Sequence, residues 1–503
     1  MSISLQRLAM PVMVVTILTF TYLIFLKRRQ RPNKTLLHPP GPPASEMPAE
    51  NAWIKFQQWG KEYGELVYLQ EKNILILNTS RVVNDLLEKR ASNYSDRQIT
   101  PMIELSGIHN MFSIARFSDE WRRDRKLFLH NFRPATIDRF HPHQYDKVHN
   151  FLRQLASSPR EFMQHTIELS QSLVLSSVYG LDVRSDDPLI KMAMEVLELI
   201  DEVMNPGSFP VIERFPWLYY FPSWFPGCRF KKVAGQCSER IEKMNTVPFD
   251  MAMENQVKGL KSSMIAELAI QHQGDPEMTQ AVRRMGLLSY AAAADTTMSS
   301  ISSFLLSMCL HPDIQRKGQE EIDRVIGQDR LPTFEDRSSL PYVEAIYREV
   351  MRLYPPLPNG VPHVSMNVNF YRGYYIPKGC LVIPNIWAMN RDEEFYTNPT
   401  EFLPERHLDR PKGPFTNIKN ITAFGFGRRA CAGRYMADNT VWLAVVSVLA
   451  TFKLGKARDE KGSEIDIAGE YTTGVFSHPK PYQSSIIPRN QKAQDLILGT
   501  SSA

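Results

Sequence analysis

A glycine-rich stretch in the last fifth of the chain carries a cysteine in surroundings that suit chemistry. It reads Phe424-Gly425-Phe426-Gly427-Arg428-Arg429-Ala430-Cys431-Ala432-Gly433. The apolar run that follows, roughly Tyr435 to Phe452, predicts a buried helix. At a helix N-terminus, unpaired N–H groups and the positive end of the dipole favour the thiolate form of Cys431, which can ligate a metal or act as a nucleophile. The glycines leave room for a flat ligand, and Arg429 could pair with an acidic group on that ligand.

Three interpretations of this stretch compete. A lone cysteine is most often a buried structural residue. The spacing Gly425-x-Gly427-x-x-Ala430 also fits the loose pattern of a dinucleotide-binding loop, but no βαβ unit surrounds it and no acidic residue follows about 20 positions later. The third interpretation is haem iron held by a cysteine thiolate.

The full pattern F-x-x-G-x-R-x-C-x-G resembles the haem-binding signature of the cytochrome P-450 family. Its five fixed positions are occupied by Phe424, Gly427, Arg429, Cys431 and Gly433. The resemblance implies that Cys431 is the iron ligand, that the other four residues bind the cofactor, and that the cofactor is haem b, iron protoporphyrin IX. It also implies a mainly α fold with small β-sheets, preceded by one N-terminal transmembrane helix.

A second polar motif lies in the middle of an apolar run from Arg284 to Cys309 that predicts one long buried helix. The sequence there is Ala292-Ala293-Ala294-Asp295-Thr296-Thr297. A structural explanation is a locally bridged Asp followed by Thr side chains bonded back to the helix. The motif also resembles the family's oxygen-activation motif, with Ala293 where Gly is usual. The resemblance implies that Thr296 orients water and bound O2, and that Asp295 relays protons.

Two further motifs resemble donors to the haem propionates. Trp121 and Arg125 lie four residues apart on one face of a predicted helix and match W-x-x-x-R. Without the resemblance, a half-buried Trp on a surface helix is the favoured explanation of the pair. His363 matches a P-H pair that precedes a strand. On the helix of Trp121 and Arg125, the other faces would present positive charge to a partner protein through Arg122, Arg123 and Lys126.

Glu349 and Arg352 are three apart on the helix predicted from Tyr342 to Leu353, which Pro355 and Pro356 end. Such a pair is common and is worth little at a surface. Its place in the chain resembles the E-x-x-R of the family, and Arg406 matches the third member of that cluster. The implied role is structural, fixing the loop that carries Cys431. His407 stands where the family commonly has Phe.

The N-terminal residues predict a membrane anchor. Leu8 to Leu26 is an uncharged apolar run of 19 residues, long enough to cross a bilayer. A cleaved signal peptide is the alternative, but its apolar region would be shorter. Basic residues follow the run and place the body of the protein in the cytosol. We therefore divide the chain into an anchor with its basic stop (1–34), a proline-rich hinge (35–50) and a catalytic haem-thiolate domain (51–503), held at the endoplasmic reticulum membrane by a single pass.

Composition narrows the function further. The 503 residues carry a net charge of +5 without a long basic patch, which argues against a nucleic-acid partner. The five cysteines are few and widely spaced, which argues against a disulfide framework or a zinc site and for a reducing compartment. The aromatic and proline-rich segment from Phe215 to Pro226 is too apolar for an ordinary exposed loop, and we hypothesise that it dips into the membrane surface.

Taken together, the sequence resembles a microsomal member of the family, most similar to fungal enzymes of secondary metabolism. We expect a monooxygenase that inserts one oxygen atom of O2 into a lipophilic terpenoid, polyketide or alkaloid by hydroxylation, epoxidation or multistep oxidation. With no fused flavin or nicotinamide domain, electrons from NADPH would come through a separate NADPH–cytochrome P-450 reductase, with cytochrome b5 as a further candidate partner. A haem-thiolate sensor and a membrane-tethered interaction protein are the alternatives. The apolar residues expected to line the pocket leave the substrate and its regiochemistry open: the loop 97–116, Ala292, Val361 to Val364, Val475 and Phe476.

Overall fold

The computed structural model describes residues 36–48, 50–184, 186–205, 207–408, 418 and 421–500. Among these residues no helix is both long enough and apolar enough to cross a membrane. The predicted anchor, residues 1–34, lies outside the described residues, so it stays a prediction.

Helices make up most of the described chain, as predicted. Twelve of them have eight residues or more: α1 (Ala52–Tyr63), α2 (Asp119–Asn131), α3 (His141–Ser157), α4 (Phe162–Tyr179), α5 (Pro188–Met204), α6 (Arg229–Val257), α7 (Met264–Gln271), α8 (Pro276–Leu310), α9 (Pro312–Val325), α10 (Pro341–Leu353), α11 (Arg434–Thr451) and α12 (Gln491–Gly499). Shorter helices include Ser80–Val83, Pro101–Leu105, Pro210–Arg214 and Ile386–Met389.

Three small β-sheets accompany the helices. The strands are β1 (Leu66–Leu69), β2 (Ile74–Leu77), β3 (His363–Val364), β4 (Asn369–Tyr371), β5 (Tyr374–Ile376), β6 (Leu381–Pro384), β7 (Phe452–Lys456) and β8 (Ser484–Pro488). The largest sheet has the order β1-β2-β6-β3, with β2 and β6 parallel and the other neighbours antiparallel. Strands β1 and β2 form a hairpin, and every residue of both strands is buried.

Helix α8 runs through the centre of the molecule. Pro276 occupies its first turn, where no N–H partner is needed, and the Asp275 side chain caps it by accepting a hydrogen bond from the Met278 N–H at 3.0 Å. Because α8 packs against α2, α4, α6 and α11, its apolar residues are buried on most faces rather than along one stripe. The predicted helix from Arg284 to Cys309 is therefore confirmed and extends further at its N-terminus.

The two largest apolar clusters meet at the middle of α8. The buried apolar residues of α8 up to Ala291 belong to the first cluster, and those from Ile301 onward belong to the second. The loop before α11 is divided in the same way, since Phe424 belongs to the second cluster and Ala432 to the first. Asp295 and Cys431 therefore both lie at the boundary between two packed cores.

Candidate active site

A large cavity lies at this boundary, between the middle of α8 and the loop that precedes α11. It encloses about 2030 Å³ of space, counting its mouth to solvent. Of the predicted site residues, eight line it together: Trp121, Arg125, Thr296, His363, Phe424, Arg429, Cys431 and Gly433. Residues from distant parts of the sequence therefore face one common space.

The cysteine loop is a tight turn held by its backbone. The Cys431 N–H donates to the Phe424 carbonyl at 2.7 Å, which closes the loop. Gly425 has a φ of +71°, and a Cβ placed there would meet no atom within 4 Å. Gly427, also predicted to bind the cofactor, is not among the residues that line the cavity and instead attaches the loop to Leu87 and Glu88. Its N–H donates to Glu88 Oε1 at 2.7 Å, and a Cβ at φ +57° would come within 2.1 Å of the Leu87 carbonyl oxygen.

Cys431 differs from the other four cysteines, which are all buried. Its exposed surface faces the cavity rather than bulk solvent, so the thiol is still enclosed by the protein. The sequence predicted a favoured thiolate, whereas burial raises the pKa of the Cys431 thiol. A backbone hydrogen bond from Gly433 and the charges of Arg434 and Arg125 only partly offset that rise. The protein alone therefore favours the thiol, and a cation bound to Sγ is needed to favour the thiolate.

One end of the cavity is strongly cationic because three arginines converge there. Arg97 comes from the loop before α2, Arg125 from α2 and Arg429 from the cysteine loop. Burial and the repulsion of neighbouring guanidinium groups lower the pKa of Arg97 to about 9 and that of Arg429 to about 8. Burial lowers the pKa of Arg125 to about 10. No sequence motif marks Arg97 as a cofactor ligand, although the loop 97–116 is predicted to line the pocket.

These arginines are held in place by main-chain carbonyls. Arg429 donates to the carbonyls of Ser95, Phe112 and Ala115 at 2.7 to 3.0 Å. Arg97 donates to those of Ser113, Val361 and Pro362 at 2.6 to 2.9 Å. Arg125 donates to the Ala430 carbonyl at 2.7 Å. Carbonyl oxygens fix each guanidinium group without neutralising it, so the end of the cavity keeps a net positive charge.

The other two predicted donors are buried beside the arginines. His363 Nδ1 lies 2.6 Å from the Tyr94 carbonyl and donates its proton to it. The other ring nitrogen, Nε2, is not engaged by this hydrogen bond. Burial and the charge of Arg97 lower the pKa of His363, so the ring is neutral. Trp121 was expected to donate to a propionate, but its Nε1 donates to the Phe112 carbonyl at 2.9 Å. Its ring instead stacks under Arg429, with the guanidinium carbon 4.2 Å from the ring centroid.

The residues present fit a haem with two carboxylate side chains. Cys431 supplies a sulfur ligand at the cavity wall, Gly425 leaves open space beside it, and the arginine cluster suits two neighbouring anions. A dinucleotide would need a glycine-rich loop between a strand and a helix, and the loop here follows a short 3₁₀ turn, Thr422–Phe424. The donor set therefore favours the haem-thiolate interpretation.

Helix α8 forms the wall that carries Thr296. Thr296 Oγ1 donates to the Ala292 carbonyl at 2.8 Å. The carbonyls of Ala293 and Ala294 accept a shared hydrogen bond from Ser170 Oγ of α4, at 2.6 and 2.9 Å. Ser170 therefore ties α4 to α8 at the position where Ala293 replaces the expected glycine, within a continuous helix. Burial and the nearby charge of Asp201 raise the pKa of Asp295 to about 6.

The predicted structural cluster forms around Glu349, whose carboxylate is fully buried. Arg352 donates to both carboxylate oxygens at 2.7 and 2.8 Å, and Arg406 Nε donates to Oε1 at 3.0 Å. His407 joins as a fourth member, with Nε2 2.9 Å from Oε2. Burial alone would raise the pKa of Glu349, but the hydrogen bonds from Arg352 and His407 lower it to about 2. The His at 407 thus takes part in the cluster.

A short relay connects this cluster to the cysteine loop. Arg352 donates to the Asn390 carbonyl, and the Asn390 amide donates to the Arg352 carbonyl at 2.7 Å. Thr422 Oγ1 then donates to Asn390 Oδ1 at 2.7 Å, and the Gly425 N–H donates to the Thr422 carbonyl at 2.9 Å. Four hydrogen bonds therefore lead from the buried ion cluster to the loop that holds Cys431.

Comparison with known proteins agrees with this geometry. Residues 44–486 match the family model described as cytochrome P-450. The chain belongs to the cytochrome P-450 family. It is 35% identical over 488 residues to cytochrome P-450 monooxygenase 208 of Postia placenta, covering 94% of this chain and 95% of that protein. It is also 35% identical over 481 residues to tryptamine 4-monooxygenase of Psilocybe cyanescens, covering 92% and 95%.

A solved structure shows the same architecture. A zebra fish cytochrome P-450 in a structure with progesterone aligns with a TM-score of 0.70, covering 87% of this chain and 99% of that one. At 21% identity this likeness shows the fold alone. The predicted mainly helical cytochrome P-450 fold with small sheets is confirmed, and so is the assignment as a monooxygenase, because the curated relatives are fungal cytochrome P-450 monooxygenases.

Proposed function

We propose that this monooxygenase inserts one atom of O2 into an uncharged lipophilic small molecule of fungal secondary metabolism. The observation that carries the proposal is one cavity with the Cys431 sulfur in its wall, the Thr296 hydroxyl on α8 and a cationic end. Bound haem b would supply redox-active iron for the activation of O2, which consumes two electrons in total. One oxygen atom enters the substrate, and the other leaves as water after taking up two protons.

The chain's own residues bind the cofactor and manage protons. Cys431 holds the cofactor through sulfur, and Arg97, Arg125 and Arg429 hold its two carboxylates. Thr296 Oγ1 can release the Ala292 carbonyl and donate to an oxygen atom in the cavity. Asp295, with its pKa raised to about 6, can both accept and release a proton near neutral pH and so can resupply Thr296.

The cavity lining favours a neutral substrate. Among the described residues that line it, the charged side chains are Arg97, Arg125 and Arg429, and all three lie at the cationic end. The rest of the wall is apolar apart from a few hydroxyl groups, and it includes Ile108, Leu173, Val174, Val178, Leu197, Ile200, Met204, Leu288, Val361, Val475 and Phe476. A charged substrate would lose its hydration there without gaining an opposite charge. A neutral terpenoid or polyketide, or an alkaloid in its uncharged form, is therefore favoured.

Electron supply and location complete the proposal. NADPH would donate through a separate NADPH–cytochrome P-450 reductase, with cytochrome b5 as a further donor, at the cytosolic face of the endoplasmic reticulum membrane. The exposed Lys126 of α2, the helix that also carries Arg125, supports a cationic docking face, whereas Arg122 is paired with Asp119. The apolar run 8–26 and the exposed side chains of Trp217 and Trp224 support attachment to the membrane.

The test is Cys431→Ala in the full-length protein, with Cys380→Ala as a matched control because Cys380 is buried away from the cavity. We expect the control to keep a thiolate-haem absorbance spectrum and to oxidise at least one of a panel of neutral natural products with NADPH and reductase. The Cys431 variant should lose both. Turnover by Cys431→Ala would refute the proposal. Spectral binding of neutral compounds without any product would favour the haem-thiolate sensor.

A further inference from the structure

A turn near the C-terminus presents two apolar side chains to the cavity. It spans residues 472–478, and Val475 and Phe476 line the cavity from it. The Thr472 N–H donates to the His478 carbonyl at 2.9 Å, and Thr472 Oγ1 accepts from the His478 N–H at 3.1 Å and donates to the Phe476 carbonyl at 3.1 Å. These bonds close the turn on itself, but they do not fix where it lies relative to the helices.

The base of the turn is attached to the centre of the molecule. Ser299 Oγ of α8 donates to the Ser477 carbonyl at 2.6 Å, and the Ser477 N–H donates to the Pro356 carbonyl at 2.8 Å. Ser477 is buried. The base of the turn is therefore attached to α8 and to the loop after α10. The tip at Gly474 and Val475 extends beyond these two hydrogen bonds.

The tip is held by a carboxylate from another helix. Asp201 Oδ1, in the last turn of α5, accepts a hydrogen bond from the Val475 N–H at 2.9 Å. Residues on either side of Asp201 line the cavity, namely Leu197, Ile200 and Met204. The same carboxylate also acts on α8, since its charge contributes to the raised pKa of Asp295. Asp201 thus lies where α5, α8 and the turn come together.

Close packing at Gly474 supports the same contact. A Cβ added to Gly474 would lie 2.7 Å from Asp201 Oδ2 and 2.8 Å from Oδ1. Real Cβ atoms do not approach so closely, so any larger residue at 474 would displace the carboxylate or the turn. The contact therefore depends on a carboxylate at one position and on glycine at the other.

We propose that Asp201 is a specificity-determining positioning residue, because its hydrogen bond to Val475 fixes the turn 472–478 against α5 and so fixes the cavity wall that meets the substrate. This inference rests on the proposed function for its meaning in catalysis. The contact itself can be tested without any substrate. Asp201 acts through Val475 and Phe476 and need not touch the reacting atoms.

The first experiment measures amide hydrogen exchange over residues 472–478 in the full-length protein as purified, whether or not it carries haem. Asp201→Ala removes the acceptor, so this segment should exchange roughly 10-fold faster or more, as expected when one hydrogen bond to a charged group is lost. Asp201→Asn keeps an acceptor oxygen of similar shape and should exchange at nearly the wild-type rate. Glu198→Ala, an exposed carboxylate three residues earlier on α5, is the matched control and should have no effect.

The second experiment uses two nitrogen ligands of haem iron that differ in bulk, imidazole and clotrimazole, titrated by absorbance. In Asp201→Ala the Kd for clotrimazole should rise at least roughly fivefold, because its bulk reaches the apolar wall, while the Kd for imidazole should stay unchanged. Gly474→Ala should reproduce this result from the other side of the contact. Asp201→Asn should bind both ligands as the wild type does.

The outcomes separate this inference from the proposed function. Unchanged exchange in Asp201→Ala, or an unchanged ratio of the two Kd values, overturns the positioning role. Asp201→Asn behaving like Asp201→Ala overturns it as well, since charge rather than the hydrogen-bond acceptor would then hold the turn. A wild-type protein that binds no haem refutes the proposed function, and the exchange experiment still decides whether Asp201 holds the turn.

Discussion

Replacing Asp295 by Asn should stabilise the protein while it impairs oxygen use. The pKa of Asp295 is raised from 3.8 to about 6 by burial and by the charge of Asp201. A carboxyl group whose pKa is higher in the folded state binds its proton more tightly there than in the unfolded chain. Its ionisation at neutral pH therefore opposes folding, and an uncharged amide of the same shape removes that cost.

The size of the effect follows from the shift. A difference of about 2 pKa units corresponds to about 3 kcal/mol at pH 7.5, where Asp295 is ionised in both states. This is an upper value, because the side chain is partly exposed. At pH 5 the folded state is still mostly protonated, and the cost falls to about half. With an unfolding entropy of about 2.1 cal/mol/K per residue over 503 residues, 3 kcal/mol raises Tm by about 3 °C.

The assay is thermal unfolding of the holoprotein from pH 5 to pH 7.5, with NADPH consumption and product formation measured in parallel. The Tm difference between Asp295→Asn and wild type should grow with pH across this window, while the ratio of product to NADPH falls. Asp313→Asn, an exposed carboxylate in the first turn of α9, should give no such gain. A Tm difference that is absent, negative or independent of pH would refute the reasoning.

Four other predictions concern separate parts of the molecule. Thr296→Ala should raise NADPH consumption per product while Thr296→Ser retains coupling, and unchanged coupling in the Ala variant would contradict the role of its hydroxyl. Glu349→Gln leaves two buried arginines without their anion, at a cost of about 3–5 kcal/mol, so the purified protein should retain much less haem by absorbance. Burial lowers the pKa of His407, so below about pH 6.5 the unfolded chain takes up a proton that the folded protein does not, and wild-type stability should fall. The Tm of His407→Phe should therefore decrease less than the wild-type Tm between about pH 7.5 and pH 5.5. Equal decreases would count against this assignment. Replacing Trp217 and Trp224 together by Ser in protein lacking residues 1–34 should weaken liposome binding measured by sedimentation, and unchanged binding would exclude a membrane-dipping role.

The sequence predicted those features that depend on local pattern. The long apolar run of α8, the helix α10 and the helix after the cysteine loop all follow from apolar periodicity and from the residues that end them. The cysteine loop, Thr296 and the Glu349–Arg352 pair are marked in the sequence because each motif is contiguous or lies within one helical turn. Arg406 lies 57 positions from Glu349 and is identified only through the family resemblance. The anchor at residues 8–26 lies outside the described structure and stays a prediction.

Other features depend on residues that are distant in sequence. Arg97 joins Arg429 across 332 positions, and Asp201 meets Val475 across 274, so no local pattern marks either contact. The acceptor of Trp121 Nε1 is set by the path of the loop at Phe112 rather than by the motif. The raised pKa of Cys431 was also missed, because burial outweighs the helix terminus and burial is a property of the folded chain.

The position of the cavity between two apolar clusters affects how this enzyme can evolve. The substrate wall is built largely from the first cluster, through α5 and the residues before α2, whereas the Glu349 cluster belongs to elements of the second. Substitutions in well-separated regions have nearly additive effects on stability. Changes at the wall can therefore accumulate without disturbing the ion cluster behind the cysteine loop. A lineage carrying this architecture can change its substrate range by small steps while the support of the cysteine loop stays intact.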